Sequence, residues 1–366
     1  MRYVKVMIPD DIGVEPTTIS GEFDLGDSIE KRDLKVFSPT YTSVHTDCFV
    51  GLVDFMGTDE DIPQAARTSY AKGTKKVSTD RNLIRYLTRK MHTSPIEMVE
   101  FKFHIKCPIF VARQWLRHRT ASVNEQSARY SELPETFYVP DPSYLAPQSQ
   151  SNKQGRDGDL SNKEKQAIIN AMHEINQSSY ETYEYLLGKD GPPREVRAKV
   201  ISLRNAVLKE LRAKQENGDS VTQKDIDKAF GDIPYEVIED EQYPGLAREL
   251  ARIVIPVSIF TEFYWKIDLH NLFHFLRLRM DSHAQQEIQD YANVVGNLVK
   301  DIVPDAWEAF IDYRMESRVF SRMELSLISE LLSDINEEEV RTSLTTKGCS
   351  KREIDEFFVE VINKRL

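Results

Sequence analysis

The sequence predicts a protein of the α+β class, in which strands and helices are mixed along the chain. Two segments, Cys48–Met56 and Val99–Lys106, have the β-prone or alternating apolar pattern of strands with a buried face. A longer segment, Ser161–Leu187, has apolar residues at helical spacing. With 366 residues, the chain is long enough for one large domain with insertions or for two ordinary domains.

The remaining elements follow from local signals. Thr58 and the acidic residues after it predict the start of a helix that runs through Tyr70. Pro95 disfavours helix at the preceding serine, so a polar turn is expected there. The patterns predict further helices over Asp80–Met91, Pro244–Pro256, Asp268–His283, Gln285–Lys300 and from Asp312 onward, a strand over Ser258–Ile267, and a loop, either a lid or a plain surface loop, over Pro134–Gly158.

The segment Arg113–Tyr130 is the densest polar region of the chain. It carries four arginines, a histidine, a carboxylate and several hydroxyls, without glycine or proline. The apolar run Cys107–Ala112 in front of it predicts a buried helix whose polar end is Arg117–Arg119. Guanidinium groups bind phosphate and carboxylate bidentately, so this segment predicts an anion site.

Composition narrows the functional class. A net charge of -11 argues against broad nucleic-acid binding, which needs a basic field. Three widely spaced cysteines predict neither a disulfide framework nor a metal site. The chain has no apolar run long enough for a membrane span and no signal-peptide pattern, so a cytoplasmic protein is expected.

Three arrangements could carry chemistry. His270 and His274 have a spacing that can hold a metal, although Arg277 on the same helical face would repel a cation. Ser122 or Ser127 could act as a nucleophile beside His118, but neither has the glycine neighbours of a nucleophile elbow. The third hypothesis, an anion and cofactor site, is favoured because its residue types recognise phosphate, ribose or a carbonyl. It combines the central segment with Arg252 and with Arg279, which lies on a different helical face from His270.

The sequence Arg117-His118-Arg119, followed after seven residues by Ser127, resembles the signature of the flavin-dependent thymidylate synthases. Other blocks resemble that family in the same order, and the similarity covers roughly residues 44–138 and 180–310. The blocks are Ala66–Tyr70, His92–Glu97, Pro108–Trp115, Ala251–Val254 and Leu278–Gln285.

The resemblance implies reductive methylation of dUMP to dTMP, with methylenetetrahydrofolate as carbon donor and FAD reduced by NADPH as the source of hydride. It also implies an antiparallel-rich sheet packed with helices, a homotetramer with shared active sites, no resident metal and no cysteine nucleophile. A catalytically silent nucleotide- or flavin-binding regulator on the same fold is the alternative, and the presence of Arg279 and Ser127 disfavours it.

The resemblance also assigns roles to residues. Catalysis is expected from Arg279, beside the pyrimidine, and from Ser127 as a positioning hydroxyl. The expected dUMP-binding residues are Gln114, Arg117, Glu125, Ser127, Ala128, Arg129, Arg252 and Arg279. The expected FAD-binding residues are Ser69, His92, Ser94, Arg117, His118, Arg119, Glu125, Asp268, His270 and His274.

The chain departs from the family pattern in several places. Asp268 and His270 stand where many members have Asn and Arg. A catalytic domain is expected over residues 44–310, with an acidic, helical insertion at about 196–242. Residues 1–43 and 311–366 are expected to be an N-terminal extension and a helical C-terminal extension.

Overall fold

A computed structural model describes residues 38–68, 80–150, 155–189, 206–207, 209–214, 222, 245–332 and 336–362. These residues form two compact units. The first is drawn from 1–54, 102–266 and 279–295, and the second from 55–101, 267–278 and 296–366. The predicted domain boundaries stay predictions, and most of the predicted insertion at 196–242 lies outside the described residues.

Strands and helices both occur throughout the described residues, as the sequence predicted. The strands are β1 (Thr40–Ser43), β2 (Phe49–Met56), β3 (Glu100–Pro108), β4 (Ser122–Glu125) and β5 (Phe260–Asp268). The helices are α1 (Asp61–Arg67), α2 (Asp80–Arg89), α3 (Ile109–Trp115), α4 (Asn162–Leu186), α5 (Arg248–Ala251), α6 (Leu269–Arg279), α7 (Gln286–Val299), α8 (Pro304–Phe310), α9 (Arg322–Leu331), α10 (Glu337–Thr346) and α11 (Lys351–Phe357).

The strands form one five-stranded sheet in the order β1-β2-β3-β5-β4. At one edge β1 pairs antiparallel with β2, with Thr40 opposite Leu52. At the other edge β4 pairs antiparallel with β5, with Ser122 opposite Lys266. This sheet, together with the helices, confirms the α+β class and the antiparallel-rich sheet.

The core of the first unit is aromatic. Trp115 is fully buried and makes edge-on contacts with Phe263, Trp265 and Tyr291, at ring-centroid distances of 5.8, 5.3 and 5.9 Å. Aromatic pairs of this geometry stabilise a core beyond their burial alone. Because Trp115 is the last residue of α3, this cluster fixes where the helix ends.

Helix α3 differs from its predicted extent. Its first two N–H groups, on Ile109 and Phe110, donate to the carbonyls of Ile259 and Val257 at 3.0 and 3.1 Å, so they are satisfied by another segment. The helix ends at Trp115, and the prediction that Arg117–Arg119 form its polar end is wrong. The chain turns there because the residues that follow pair with β5.

The helices of the second unit pack around stacked aromatic rings. Phe273 of α6 stacks on Phe310 of α8 with ring centroids 4.3 Å apart. Helix α6 starts where the Leu269 N–H donates to the Val99 carbonyl at 2.8 Å. Its histidines are therefore carried on an element that is anchored at its start and along its buried face.

An ion-pair network joins α2 to the C-terminal segment, described over residues 311–332 and 336–362, within the second unit. The Arg85 guanidinium is buried and donates to Asp312, Glu353 and Glu308 at 2.6, 3.0 and 3.1 Å. It also donates to the Tyr313 hydroxyl at 3.0 Å. Three carboxylates and one hydroxyl around one buried cation hold this segment in a defined position.

The loop predicted between Pro134 and Gly158 is anchored on α7 in its described part. Tyr138 and Arg156 both donate to the buried Glu287 carboxylate, at 3.3 Å for each shortest contact. Tyr144 donates to Asp290 at 3.0 Å. These contacts argue for an attached surface loop in the first unit.

Other predicted elements are shorter than expected. The helix after Thr58 ends at Arg67. The Asp61 carboxylate accepts the Thr58 N–H at 2.8 Å, and Thr58 Oγ1 accepts the Glu60 N–H at 3.4 Å. The predicted helix over Pro244–Pro256 is a single turn, α5, followed by a 3-10 turn. Among the described residues, no helix is long and apolar enough to cross a membrane.

Two of the three cysteines lie inside the first unit. Cys48 and Cys107 are buried, whereas Cys349 is half-buried in the second unit. Burial raises the pKa of Cys48 to about 11 and the pKa of Cys107 well above its ordinary value. Both buried side chains are therefore neutral thiols at physiological pH.

Candidate active site

Arg279, at the end of α6, forms the centre of the polar site in the first unit. Its Nε donates to His118 Nε2 at 3.1 Å, and its Nη2 donates to the Gln114 carbonyl at 2.9 Å. Burial and the neighbouring Arg117 guanidinium lower the pKa of Arg279. A guanidinium can only donate, so His118 must face it with an unprotonated Nε2.

The Gln114 side chain is held in turn by a residue that the sequence did not single out. Its Nε2 donates to Gln285 Oε1 at 2.6 Å. The Gln114 backbone carbonyl and side-chain amide thus contact Arg279 and Gln285, respectively. In the sequence, Gln285 stood only at the end of one family-like block and at the start of a predicted helix.

The rest of the signature lies on β4 and the turn after it. Glu125 accepts a hydrogen bond from Thr261 Oγ1 at 2.6 Å, which orients its carboxylate. Ser127 Oγ accepts the N–H of Arg129 at 3.3 Å, so this hydroxyl closes a local turn. The Arg129 guanidinium lies 3.3 Å from Glu249 of α5, and both side chains are exposed.

The other expected dUMP residues, Arg117, Ala128 and Arg252, belong to the same unit. Among the described contacts, no hydrogen bond joins them to one another. Ala128 packs against a buried cluster that includes Tyr183 and Ile259. Arg117 and Arg119 are exposed in the turn after α3, and Arg252 is exposed at the start of the 3-10 turn after α5. Their charges are therefore available to a ligand in this unit.

A cleft lies in the second unit between α2, α6 and the segment after α8. Met91 lies two residues after the end of α2, has a left-handed φ of 60° and directly precedes His92. The residues that line the cleft include Leu87, Ile96 and Phe273, and the polar side chains His92, His270, His274, Arg277 and Arg314.

The donor set of this cleft suits a flavin dinucleotide. Apolar side chains offer a surface for an aromatic ring, while imidazoles and guanidiniums suit ribose and phosphate oxygens. His92, His270 and His274 thus share one cleft. Arg277 lies on the same face of α6 as His270 and His274, as predicted. Its positive charge makes a cation such as Zn²⁺ a poor match for these imidazoles.

Of the ten expected FAD residues, three line that cleft, and four belong to the first unit: Arg117, His118, Arg119 and Glu125. Ser94 and Asp268 are not among its lining residues, and Ser69 lies outside the described residues. The Asp268 carboxylate instead accepts the N–H and the side-chain amide of Asn271, at 2.9 and 2.7 Å, and so caps the start of α6. Their FAD contacts stay predictions.

Comparison with known proteins agrees with this chemistry. Residues 51–305 match the family described as thymidylate synthase complementing protein. A flavin-dependent thymidylate synthase from Dictyostelium discoideum is 44% identical over 322 residues, covering 86% of this chain and 84% of that protein. One from Rickettsia bellii is 42% identical over 309 residues, covering 84% of this chain and 89% of that protein.

Among solved structures, a UMP/dUMP methylase PolB from Streptomyces cacaoi bound with 5-Br UMP is similar, with a TM-score of 0.52 and 29% identity. The match covers 74% of this chain and 97% of the methylase chain. An α+β fold with a guanidinium-rich site and a cleft suited to a dinucleotide defines the class, a nucleotide-binding enzyme. The chain belongs to the flavin-dependent thymidylate synthase family, which confirms the resemblance first indicated by the Arg117–Ser127 signature.

Proposed function

We propose that this chain catalyses the reductive methylation of dUMP to dTMP, with methylenetetrahydrofolate as carbon donor and NADPH as reductant through FAD. The observation that carries the proposal is the half-buried Arg279 guanidinium, held by His118 and by the Gln114 carbonyl. A fixed cation of this kind stabilises negative charge that develops on a pyrimidine ring.

The dUMP-binding role falls to the first unit. Arg117, Arg129 and Arg252 carry exposed or partly paired guanidiniums that suit the dUMP phosphate. Glu125, oriented by Thr261, can accept hydrogen bonds from ribose or base. Further contacts are proposed for Gln114, Ser127, Ala128 and Arg279.

Ser127 is proposed as a positioning group. Its Oγ accepts the Arg129 N–H, so a serine at this position fixes the turn that presents the Arg129 guanidinium. The hydroxyl proton stays available for donation to a substrate oxygen, because the contact with Arg129 uses only an acceptor lone pair.

FAD-binding roles are proposed for residues of each unit separately. His92, His270 and His274 line the cleft, and Ser69, Ser94, Arg117, His118, Arg119, Glu125 and Asp268 are the other proposed contacts. When bound, FAD supplies the redox chemistry of the reaction, while the protein supplies binding, orientation and electrostatics.

The cysteines support a synthase that uses no thiolate. Burial keeps the thiols of Cys48 and Cys107 protonated, and neither is exposed to a substrate. Cys349 lies in the second unit, near the end of the chain, outside the matched residues 51–305. A mechanism built on Arg279 rather than on a cysteine nucleophile is consistent with these positions.

The proposal includes a homotetramer with active sites shared between subunits, as the family resemblance implies, and a cytoplasmic location. Sedimentation of the purified protein tests the tetramer. A catalytically silent flavin-binding regulator would also bind FAD and dUMP, so turnover must be measured separately from binding.

The first experiment is an absorbance spectrum of the purified protein, before and after anaerobic NADPH, with and without dUMP. Oxidised-flavin bands that bleach faster with dUMP, followed by dTMP formation when methylenetetrahydrofolate is added, are the expected result. A protein that takes up no FAD contradicts the flavin assignment. Flavin binding with dUMP but no dTMP supports the silent regulator instead.

A further inference from the structure

Arg314 is a basic residue of the second unit that no sequence motif singled out. It lies on the π-helical turn Ile311–Met315, which follows α8 and comes after residue 305, where the family match ends. Turns of π type occur frequently at functional sites. Arg314 lines the same cleft as His92, His270 and His274.

The contacts on either side of Arg314 hold it at the cleft. Asp312 and Tyr313 both accept hydrogen bonds from the buried Arg85 guanidinium, at 2.6 and 3.0 Å. Arg314 itself donates from Nη2 to the Thr88 carbonyl at 2.5 Å and contacts Met91 Sδ. Its backbone and one end of its guanidinium are therefore fixed, and the donors not used in these contacts are free for a ligand.

A second guanidinium, that of Arg277, lines the cleft with Arg314. Burial and the nearby charge of Arg277 lower the pKa of Arg314, so the two cations lie within electrostatic reach of each other. Within the part of the chain that the structure describes, neither guanidinium forms an ion pair with a carboxylate within 4 Å. Asp312 and Glu316 are the acidic residues nearest to Arg314 in sequence, and Asp312 is engaged by Arg85.

Two like charges in a partly buried cleft repel each other, and an anion bound between them offsets this repulsion. Phosphate groups suit such a pair because their oxygens accept several charge-assisted hydrogen bonds. We propose that Arg277 and Arg314 together bind the pyrophosphate of a dinucleotide, so that the C-terminal segment contributes a cofactor-binding residue. This inference rests on the proposed function for its choice of dinucleotide, FAD or NADPH.

The test measures binding rather than turnover. Equilibrium dialysis of FAD, riboflavin and NADPH is carried out on the full-length protein and on the variants Arg314→Gln and Arg277→Gln. The matched control is Arg318→Gln, because Arg318 is exposed and donates only to the Ser317 carbonyl among the described contacts. Riboflavin has the same ring as FAD but no phosphate.

Each cleft variant is expected to weaken FAD binding about tenfold, the loss typical of one charge-assisted contact, while riboflavin binding and the control change less than twofold. A tenfold loss for NADPH alone supports the site and assigns the pyrophosphate to the nicotinamide dinucleotide. Unchanged affinity for both dinucleotides, or an equal loss for riboflavin, overturns the proposal.

Arg314→Gln could also loosen the C-terminal segment, since it removes the contact with Thr88. Arg277→Gln answers this, because Arg277 is exposed on α6 and makes no described hydrogen bond. Arg314→Lys keeps the charge and should restore part of the affinity. If loss occurs with Arg314→Gln but not with Arg277→Gln, Arg314 has only a structural role and the proposal is wrong.

A second probe separates this inference from the proposed function. Inorganic pyrophosphate should raise the thermal midpoint of the full-length protein, and both cleft variants should reduce that shift while Arg318→Gln preserves it. If the protein takes up no FAD but the pyrophosphate effect is present, the flavin assignment fails and the anion site stands. If pyrophosphate has no effect on any variant and FAD binding is equal in all, the inference fails alone.

Discussion

Arg279 Nε donates to His118 Nε2 at 3.1 Å, so the imidazole serves as the acceptor that orients the guanidinium. A protonated imidazole would present a second donor to Arg279 and break this contact. Whether His118 is protonated therefore controls the position of the Arg279 guanidinium, the cation proposed to act on the pyrimidine.

Replacing His118 tests this relationship. His118→Ala removes the acceptor and should lower kcat/KM for dUMP by about ten- to hundredfold, whereas His118→Gln, which retains an acceptor, should recover part of the loss. The exposed His173→Gln serves as control, and equal activity of the Ala and Gln variants would contradict the orienting role.

Trp115 should be a major source of stability in the first unit. Trp115→Ala removes the ring that contacts Phe263, Trp265 and Tyr291 and should reduce the free energy of unfolding by about 3–5 kcal/mol. Urea unfolding measures the loss. Tyr130→Ala, at a side chain that is 78% exposed, should change stability by less than about 0.5 kcal/mol. Similar losses for both variants would argue against the aromatic core.

Arg85 should be the critical residue of the ion-pair network in the second unit. Arg85→Ala leaves the buried Glu353 carboxylate and its neighbours without their shared cation, so a loss of about 3–5 kcal/mol is expected. Limited proteolysis should then cut the C-terminal segment faster. Lys351→Ala, at an exposed side chain that forms no ion pair among the described contacts, should cost less than about 0.5 kcal/mol. Unchanged proteolysis of Arg85→Ala would mean that other contacts hold the segment.

Asp59 should make stability depend on pH. Its carboxylate accepts the N–H groups of Asp305 and Ala306 at 2.6 and 3.0 Å, and burial raises its pKa from 3.8 to about 6. The folded protein therefore binds this proton more tightly than the unfolded chain does. The resulting stability is present below about pH 4 and is lost as the pH rises through about 6.

A shift of this size corresponds to about 3 kcal/mol in full, and the loss should be smaller because solvent screens the partly exposed side chain. Asp59→Asn keeps a capping side chain without a titrating group, so it should flatten the stability curve between pH 4 and 6. Thermal melts at several pH values measure this. The exposed Asp301→Asn should leave the curve unchanged, and a wild-type curve without that slope would contradict the assignment.

The parts of the fold that depend on local sequence were predicted well. Helical spacing placed His270, His274 and Arg277 on one face of α6, and all three line one cleft. Ser161 was predicted to start a long helix, and its hydroxyl caps α4 by accepting the Glu164 N–H. The family followed from the spacing between Arg117 and Ser127, because a long signature is specific by itself.

Features set by distant contacts were not predicted. The end of α3 at Trp115 depends on an aromatic cluster drawn from β5 and α7, and β4 forms because it pairs with a strand much later in the chain. The local sequence around Trp115 and β4 contains neither the aromatic cluster nor the pairing strand. Arg314 reaches the cleft only because the segment around it docks on Arg85, and an isolated arginine in a charged helical tail gives no signal of that.

Because Cys48 and Cys107 are buried, the rate at which their thiols are alkylated can report opening of the first unit. Maleimide or a similar reagent attacks thiolates, so it should label Cys349 in the native protein and reach the other two only when the first unit opens. Mass spectrometry of samples quenched over time would then count one adduct for the folded chain and three for the unfolded chain. The rate of appearance of the second and third adducts would report how often that unit opens, without any engineered label.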